Sequence, residues 1–305
     1  MMIPPVLSLL CVSCGEDEEP LPGSAVVVEG WIENGRFPVV MITHSIVLSE
    51  EYQSLDSLER YIERWARVRL SDGEREVTMI GRYDREYFPP YIYTTTDMRG
   101  EPGRTYRLTV DTSDGSHAEA SATVPEPVGI DSLVCERVAQ ADTLRQLYCY
   151  ITDRGQETSY YKVFVHVMGH PYGYMSSYLG LMTTTMLPSD GKMAVNQGRI
   201  NLEKDYIPYF TTGDEVVVKV CRMDRTGYEF WRDFEDMTSL SRNPFFPVTD
   251  NIRSNITGGL GYWLGYGSSV RRIVVEGYMF QTQSAQSRKG KNKSFASLRA
   301  LRFIS

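Results

Sequence analysis

From residue 25 the chain alternates apolar and polar positions in short runs separated by turn-forming pairs, the pattern of half-buried strands. Seven runs fall before residue 125: VVVEGWI at 26–32, FPVVMITHS at 37–45, ARVRL at 66–70, EVTMI at 76–80, YIYTTT at 91–96, TYRLTV at 105–110 and AEASATV at 118–124. Asn34-Gly35, Asp72-Gly73, the stretch from Gly100 to Gly103, and Asp114-Gly115 lie between them and supply hairpin turns. This density of strands predicts an immunoglobulin-like or transthyretin-like sandwich over 25–125. One helical pattern interrupts it: Leu55, Leu58, Ile62 and Trp65 fall three and four apart and predict a short helix laid on the sandwich.

Pro125-Glu126-Pro127 ends the first unit, because proline stiffens the link and cannot continue a strand ladder. A second β-sandwich is expected over 128–280, with strands IDSLVCERV, TLRQLYCYI, YYKVFVHVM, GRINL, EVVVKVCRM and RRIVVEGYMF. Its one helix is predicted at 228–240, where Phe230, Phe234 and Met237 line one face against Arg232, Asp233, Glu235 and Asp236. NPFFP at 243–247 and NITGGLGYWLGYG at 255–267 read as a structured loop that carries the chain across the sandwich. The fold class expected is therefore all-β, two sandwich domains with one packed helix in the second.

The ends read differently. Residues 3–12 form an apolar run about half the ~20 residues needed to cross a bilayer, so 1–14 reads as a signal peptide. It ends at Cys14, the expected lipidation site. Cys11 is a poorer one, because bulky Leu9-Leu10 precede it. Residues 15–24, GEDEEPLPGS, form an acidic tether. The net charge of −7 hides an asymmetry: beyond Glu276 there is no acid, and residues 281–305 carry six of the 32 basic side chains. An acidic body excludes nucleic acid as partner, since that affinity rests on clustered Lys and Arg. The basic tail reads as a solvated end, with anionic lipid as its alternative contact.

With Cys11 and Cys14 assigned to the leader and anchor, Cys135, Cys149 and Cys221 remain. Cys135 and Cys149 flank a polar turn near Asp142; paired strands would allow a disulfide in an oxidising envelope, and buried free thiols are the alternative reading. No metal site is expected, because His166 and His170 sit on a strand pattern where a four-residue spacing does not converge. GGLGYWLGYG departs from GxGxxG, so its glycines read as tight turns around Tyr262 and Trp263 acting as a core plug, or as an exposed aromatic platform for sugar or peptide. The carboxylates Asp233, Glu235, Asp236, Glu50 and Glu51 read as charged surface before they read as a glycosidase pair. Neither catalytic residues nor a cofactor are expected.

VVEGWI at 27–32, the TYRLTV hairpin, the Pro-rich link into IDSL, the aromatic helix, NPF at 243–245 and NITGGLG at 255–261 together resemble an outer-membrane lipoprotein family of Bacteroidetes catalogued as a domain of unknown function. The resemblance covers roughly residues 14–278. It implies a lipid-anchored, surface-exposed outer-membrane protein, since such genes typically lie beside TonB-dependent receptors and GEDEE resembles a surface-export signal. The expected function is a non-catalytic accessory binding protein for such a receptor in nutrient uptake. A surface adhesin or structural envelope protein is the alternative, and a glycan-acting enzyme the third reading. Trp31, Tyr262, Trp263 and Tyr266 are the candidate contacts, because aromatic residues dominate interface energetics.

Overall fold

The computed structural model describes residues 25–45, 59–87, 89–153, 155, 157–170, 173–198, 206–240 and 252–276. The first half contributes β1 (Val26–Glu33), β2 (Val39–His44), β3 (Arg67–Ser71), β4 (Glu76–Thr78), β5 (Ile80–Tyr83), β6 (Tyr91–Thr94), β7 (Thr105–Asp111) and β8 (His117–Thr123). The second half adds β9 (Ile130–Arg137), β10 (Leu144–Ile151), β11 (Tyr160–Val167), β12 (Met175–Thr183), β13 (Lys192–Val195), β14 (Phe210–Thr211), β15 (Glu215–Met223), α1 (Arg225–Leu240) and β16 (Leu260–Val274).

One sheet runs through both halves in the order β12-β11-β15-β16-β1-β2-β6-β5. Two smaller sheets lie against a single face of it. β4-β3-β7-β8 covers its first half around a core that includes Val28, Ile32, Leu70, Tyr106 and Leu108. β9, β10, β13 and β14 cover the second half around Leu147, Val163, Phe210, Val218 and Val220. Val124, before the proline link, belongs to the first core and Val128, after it, to the second. The fold is all-β with one packed helix. Helix α1 lies on the opposite face of the long sheet, where Phe230 and Trp231 meet Cys221, Leu264 and Tyr266. Asp224 caps it by accepting a hydrogen bond from Gly227 N–H (2.8 Å).

The main departure from the sequence reading is β16. The glycine-rich segment expected as a loop is the first half of one 15-residue strand, which pairs parallel with β1 (Trp263 beside Gly30) and antiparallel with β15. Trp263 is fully buried and, with Ile256, completes the first core, so residues 25–125 do not close a sandwich by themselves. The glycines allow close passage more than turning. A Cβ on Gly265 would lie 2.5 Å from the Thr123 carbonyl carbon, and one on Gly267 2.9 Å from the Glu126 carbonyl carbon and Pro127 N, where the interdomain link crosses the strand. Two asparagine side chains extend the ladder as surrogate backbone. Asn255 pairs with both backbone groups of Trp263 (2.9 and 2.7 Å), and Asn34, just beyond β1, does the same for Ser268 (2.6 and 3.3 Å).

Three other expectations change. EVTMI is two strands: Met79 is buried and donates its N–H to Val68 O (2.8 Å), and the chain leaves one sheet for the other there. Residues 59–61 form a single 3-10 turn and Trp65 stands outside any helix; the rest of the helix predicted from Leu55 lies outside the described residues, as do the leader with Cys14, the tether, NPFFP and the basic tail. The Cys135–Cys149 disulfide does not form. Register places Cys135 opposite Leu147 and Cys149 opposite Leu133, so the thiols are diagonal neighbours, and Cys135, Cys149 and Cys221 are free. Diagonal Cβ atoms stand about 7–8 Å apart, against ~3.8 Å in a disulfide. Burial pushes the thiols of Cys149 and Cys221 up to about 12. Alkylation of the native protein at mild alkaline pH, read by peptide mass, is therefore expected to leave both unmodified until denaturant is added; modification of Cys149 without denaturant would contradict the packing.

Candidate binding surface

Of the four aromatic residues picked from the sequence, Trp263 and Tyr266 are buried and Trp31 and Tyr262 half-buried, so they do not make one exposed platform. Trp263 points into the first core and donates its indole N–H to Tyr106 O (3.0 Å). Because strand neighbours alternate, Tyr262 and Tyr266 fall on the helix side. Tyr266 is buried and accepts a hydrogen bond from Trp231 Nε1 (2.8 Å); Tyr262 packs on Phe230, ring centroids 4.2 Å apart. Burial raises the hydroxyl pKa of both tyrosines. Trp31 is half-buried beside Tyr87. The core-plug reading of the glycine segment thus holds for Trp263.

The helix side of the sheet also takes up charge. β11 points Tyr160, Lys162, Phe164 and His166 away from the second core, and β15 does the same with Lys219 and Cys221. Lys162 is fully buried, paired with Glu235 of α1, and its ammonium lies 5.0 Å from the Trp231 ring centre. Burial lowers its pKa, and Glu235 offsets part of that. Lys219 reaches Glu33 at the end of β1 (2.8 Å) and lies 4.6 Å from the Tyr174 ring centre. Burial opposes its charge too, but the ionised partner it meets, Glu33, favours the ammonium, and its pKa is raised. These pairs clamp the helix to the sheet and one half of the sheet to the other. Of the carboxylates weighed as an acid pair, Glu235 is thus spent on Lys162 and Asp233 on Arg253 (2.6 and 2.9 Å). Phe234, expected to face the sheet, is partly exposed, while Tyr228 and Trp231 pack inward.

What the fold leaves on the surface is a bulge in β12. Lys162 pairs with Leu181 and Phe164 with Ser176, so residues 177–180 stand opposite Val163 alone. Ser177 is buried and accepts a hydrogen bond from Asn196 N–H (3.0 Å), while Asn196 Nδ2 donates to Tyr178 O (2.9 Å), which holds the bulge in place. Leu179 sits at its tip with φ +59° and 66% of its surface exposed. A leucine in the left-handed region costs of order 1–3 kcal/mol and has no polar group to compensate. Tyr178 lies beside it, edge-on to Tyr206 (5.6 Å), and Ile207 next to Tyr206 is exposed. Strained backbone displaying an apolar side chain is a mark of recognition surfaces, and bulges recur where a strand must re-aim a side chain. Sequence reasoning missed this surface because β12 reads MSSYLGLMT, without clean alternation, and positive φ at a leucine has no sequence signal.

Among the described residues no group of three or more His, Cys, Asp or Glu side chains is placed to hold a metal ion. Among the described residues no helix is long and apolar enough to cross a membrane. A family model described as "Domain of unknown function (DUF4249)" matches residues 15–272. The chain belongs to this family. The DUF4249 match takes in the first core, all of the second but Ile273 and Val275, the helix and most of β16, consistent with one structural unit that needs its last strand. Set against curated proteins, the chain has no match.

Proposed function

We propose that this DUF4249 chain is a non-catalytic binding protein, lipid-anchored through Cys14 in the outer membrane, that serves as accessory to a TonB-dependent receptor in nutrient uptake. The observation that carries the binding role is the β12 bulge, where Leu179 is held exposed in a strained conformation beside Tyr178. Exposed aromatic and aliphatic anchors on rigid backbone lose little entropy on docking, which suits a stable protein contact. The continuous sheet supports the same reading, because it joins the bulge to the tethered end of the chain through hydrogen-bonded strands. The sequence resemblance supplies the receptor as partner.

The test is crosslinked affinity purification of the tagged protein from native outer membranes, followed by mass spectrometry. Stoichiometric recovery of a TonB-dependent receptor, reduced about tenfold or more by Leu179→Ser with Tyr178→Ala, is the expected result. A hot-spot pair worth roughly 2 kcal/mol or more accounts for such a loss. Recovery of the lipoprotein alone would favour the adhesin reading, with altered attachment of a deletion strain as its own signature.

A further inference from the structure

Of the four tryptophans, three are at least partly enclosed: Trp263 is in the core, and Trp31 and Trp231 are half-buried. Trp65 is 84% exposed. Its backbone is nonetheless held firmly. Trp65 N–H donates to Glu63 Oε1 (2.7 Å), Ala66 N–H to Tyr93 Oη (3.0 Å), and Tyr91 Oη to Arg64 O (3.2 Å). Glu63 itself is buried against His44 (3.2 Å). The fold thus presents an indole to the surroundings on a rigid support.

Its position in the fold narrows what it meets. Ala25, where the described chain begins, and Ser45 exchange two hydrogen bonds of 2.8 Å. Thr43 bridges Ile62, and Arg67 opens β3 opposite Asp111 at the same end of the sandwich. Trp65 therefore stands at the end from which the tether leaves. Eleven residue steps from Cys14 to Ala25 span at most about 40 Å. The charge around Trp65 is also unlike the rest of the acidic chain. Arg60, Arg64, Arg67 and Arg69 fall within ten residues, and Arg64 is half-exposed and Arg67 exposed. The acids at this end are engaged: Glu59 with Arg64 itself (3.5 Å), Asp111 with Arg69 and His117, Asp114 with Thr112 and Ser116, and Glu63 with His44, which leaves Arg67 as an exposed cation and Arg64 in a surface pair that water and headgroups can compete for.

We propose that this end of the first sandwich rests on the anionic lipid surface to which the chain is tethered, with Trp65 in the headgroup layer and the arginines over the phosphates. The inference rests on the lipid-anchor reading above. Tryptophan favours that layer because its ring is apolar and its N–H needs a wet partner, and juxtamembrane Arg is drawn to anionic headgroups. The contact sets the orientation of the long sheet relative to the membrane, which a lipid on Cys14 alone does not.

The experiment reconstitutes the full lipidated chain into phosphatidylethanolamine vesicles with and without phosphatidylglycerol, and takes Trp65 emission as the difference between wild type and Trp65→Phe. A blue shift with quenching by bromine-labelled acyl chains in the anionic vesicles, weakened severalfold by Arg64→Glu with Arg67→Glu, is expected. Trp65 emission as red-shifted in anionic vesicles as in buffer would overturn the inference. So would a Trp65→Phe variant with unchanged vesicle spectra but lowered receptor recovery, which would make Trp65 a protein contact. The mass of the Cys14 peptide answers the anchor reading separately. A chain without lipid there is added to the same vesicles from solution and read by the same spectrum.

Discussion

Trp263→Ala is expected to lower the unfolding free energy by about 3–5 kcal/mol, the range for deleting a buried aromatic side chain. Two features place it toward the upper end. Trp263 is fully enclosed in the first core and its indole N–H donates to Tyr106 O, so the variant leaves a cavity and loses a buried hydrogen bond. Domains of this kind hold roughly 5–15 kcal/mol in total, so a large share of the stability goes with one side chain 157 residues from that partner. The loss should not be confined to the first sandwich, because β16 also pairs with β15 of the second. Urea unfolding followed by near-ultraviolet circular dichroism checks both points. Two separate transitions in the wild type, with only one shifted in the variant, would mean that the halves are independent and that the shared strand does not couple them.

The second large effect is an asymmetry across the Lys162–Glu235 pair. Glu235→Ala leaves a fully buried ammonium without its carboxylate and is expected to cost roughly 3 kcal/mol, the low end for a broken buried pair because Glu235 is one-third exposed. Lys162→Met removes the charge altogether and fills the space beside Trp231, so it is expected to be neutral or stabilising by roughly 1–4 kcal/mol. The pH dependence has a definite sign. Burial, the largest influence, holds the folded Lys162 below 10.5, with Glu235 pulling it partly back. The unfolded chain therefore keeps that proton more tightly, so the penalty is fully present below the folded pKa and fades as pH rises toward 10.5. Without Glu235 the folded value falls further, and the deficit of Glu235→Ala relative to wild type should narrow from neutral to alkaline pH. A deficit independent of pH, or Lys162→Met as damaging as Glu235→Ala, would show that the lysine contributes packing and not a strained charge.

Local pattern made most elements legible. Alternation located β1, β7, β8, β10, β11 and β15 close to their observed ends, since each keeps a period of two, and β2, buried on both faces, was legible from its continuous apolar run. The aromatic helix was visible for the matching reason at a period near 3.6, and α1 begins at Arg225, three residues earlier than expected. Where a strand obeys no simple period, the reading failed. β12 contains a bulge, and EVTMI divides between two sheets at Met79. In β16 glycine at 261, 265 and 267 gives an apolar strand the composition of a loop. The candidate contacts failed through the same segment. Tyr262, Trp263 and Tyr266 look like an exposed platform only if their backbone is a loop; in a central strand they must face two cores.

The sequence by itself therefore determined the class of the fold, the aromatic helix after β15 and the family, because those depend on periodicity, turn chemistry and motif within a few tens of residues. Only the tertiary structure decided that the last strand completes the first core, that Cys135 and Cys149 are two residues out of register for bonding, that Lys162 and Lys219 are buried with partners 73 and 186 residues away, and that Leu179 and Trp65 are left outside. Each of these is a choice of neighbour between distant segments, set by the joint burial of both, and an apolar run carries no mark of which other run will cover it.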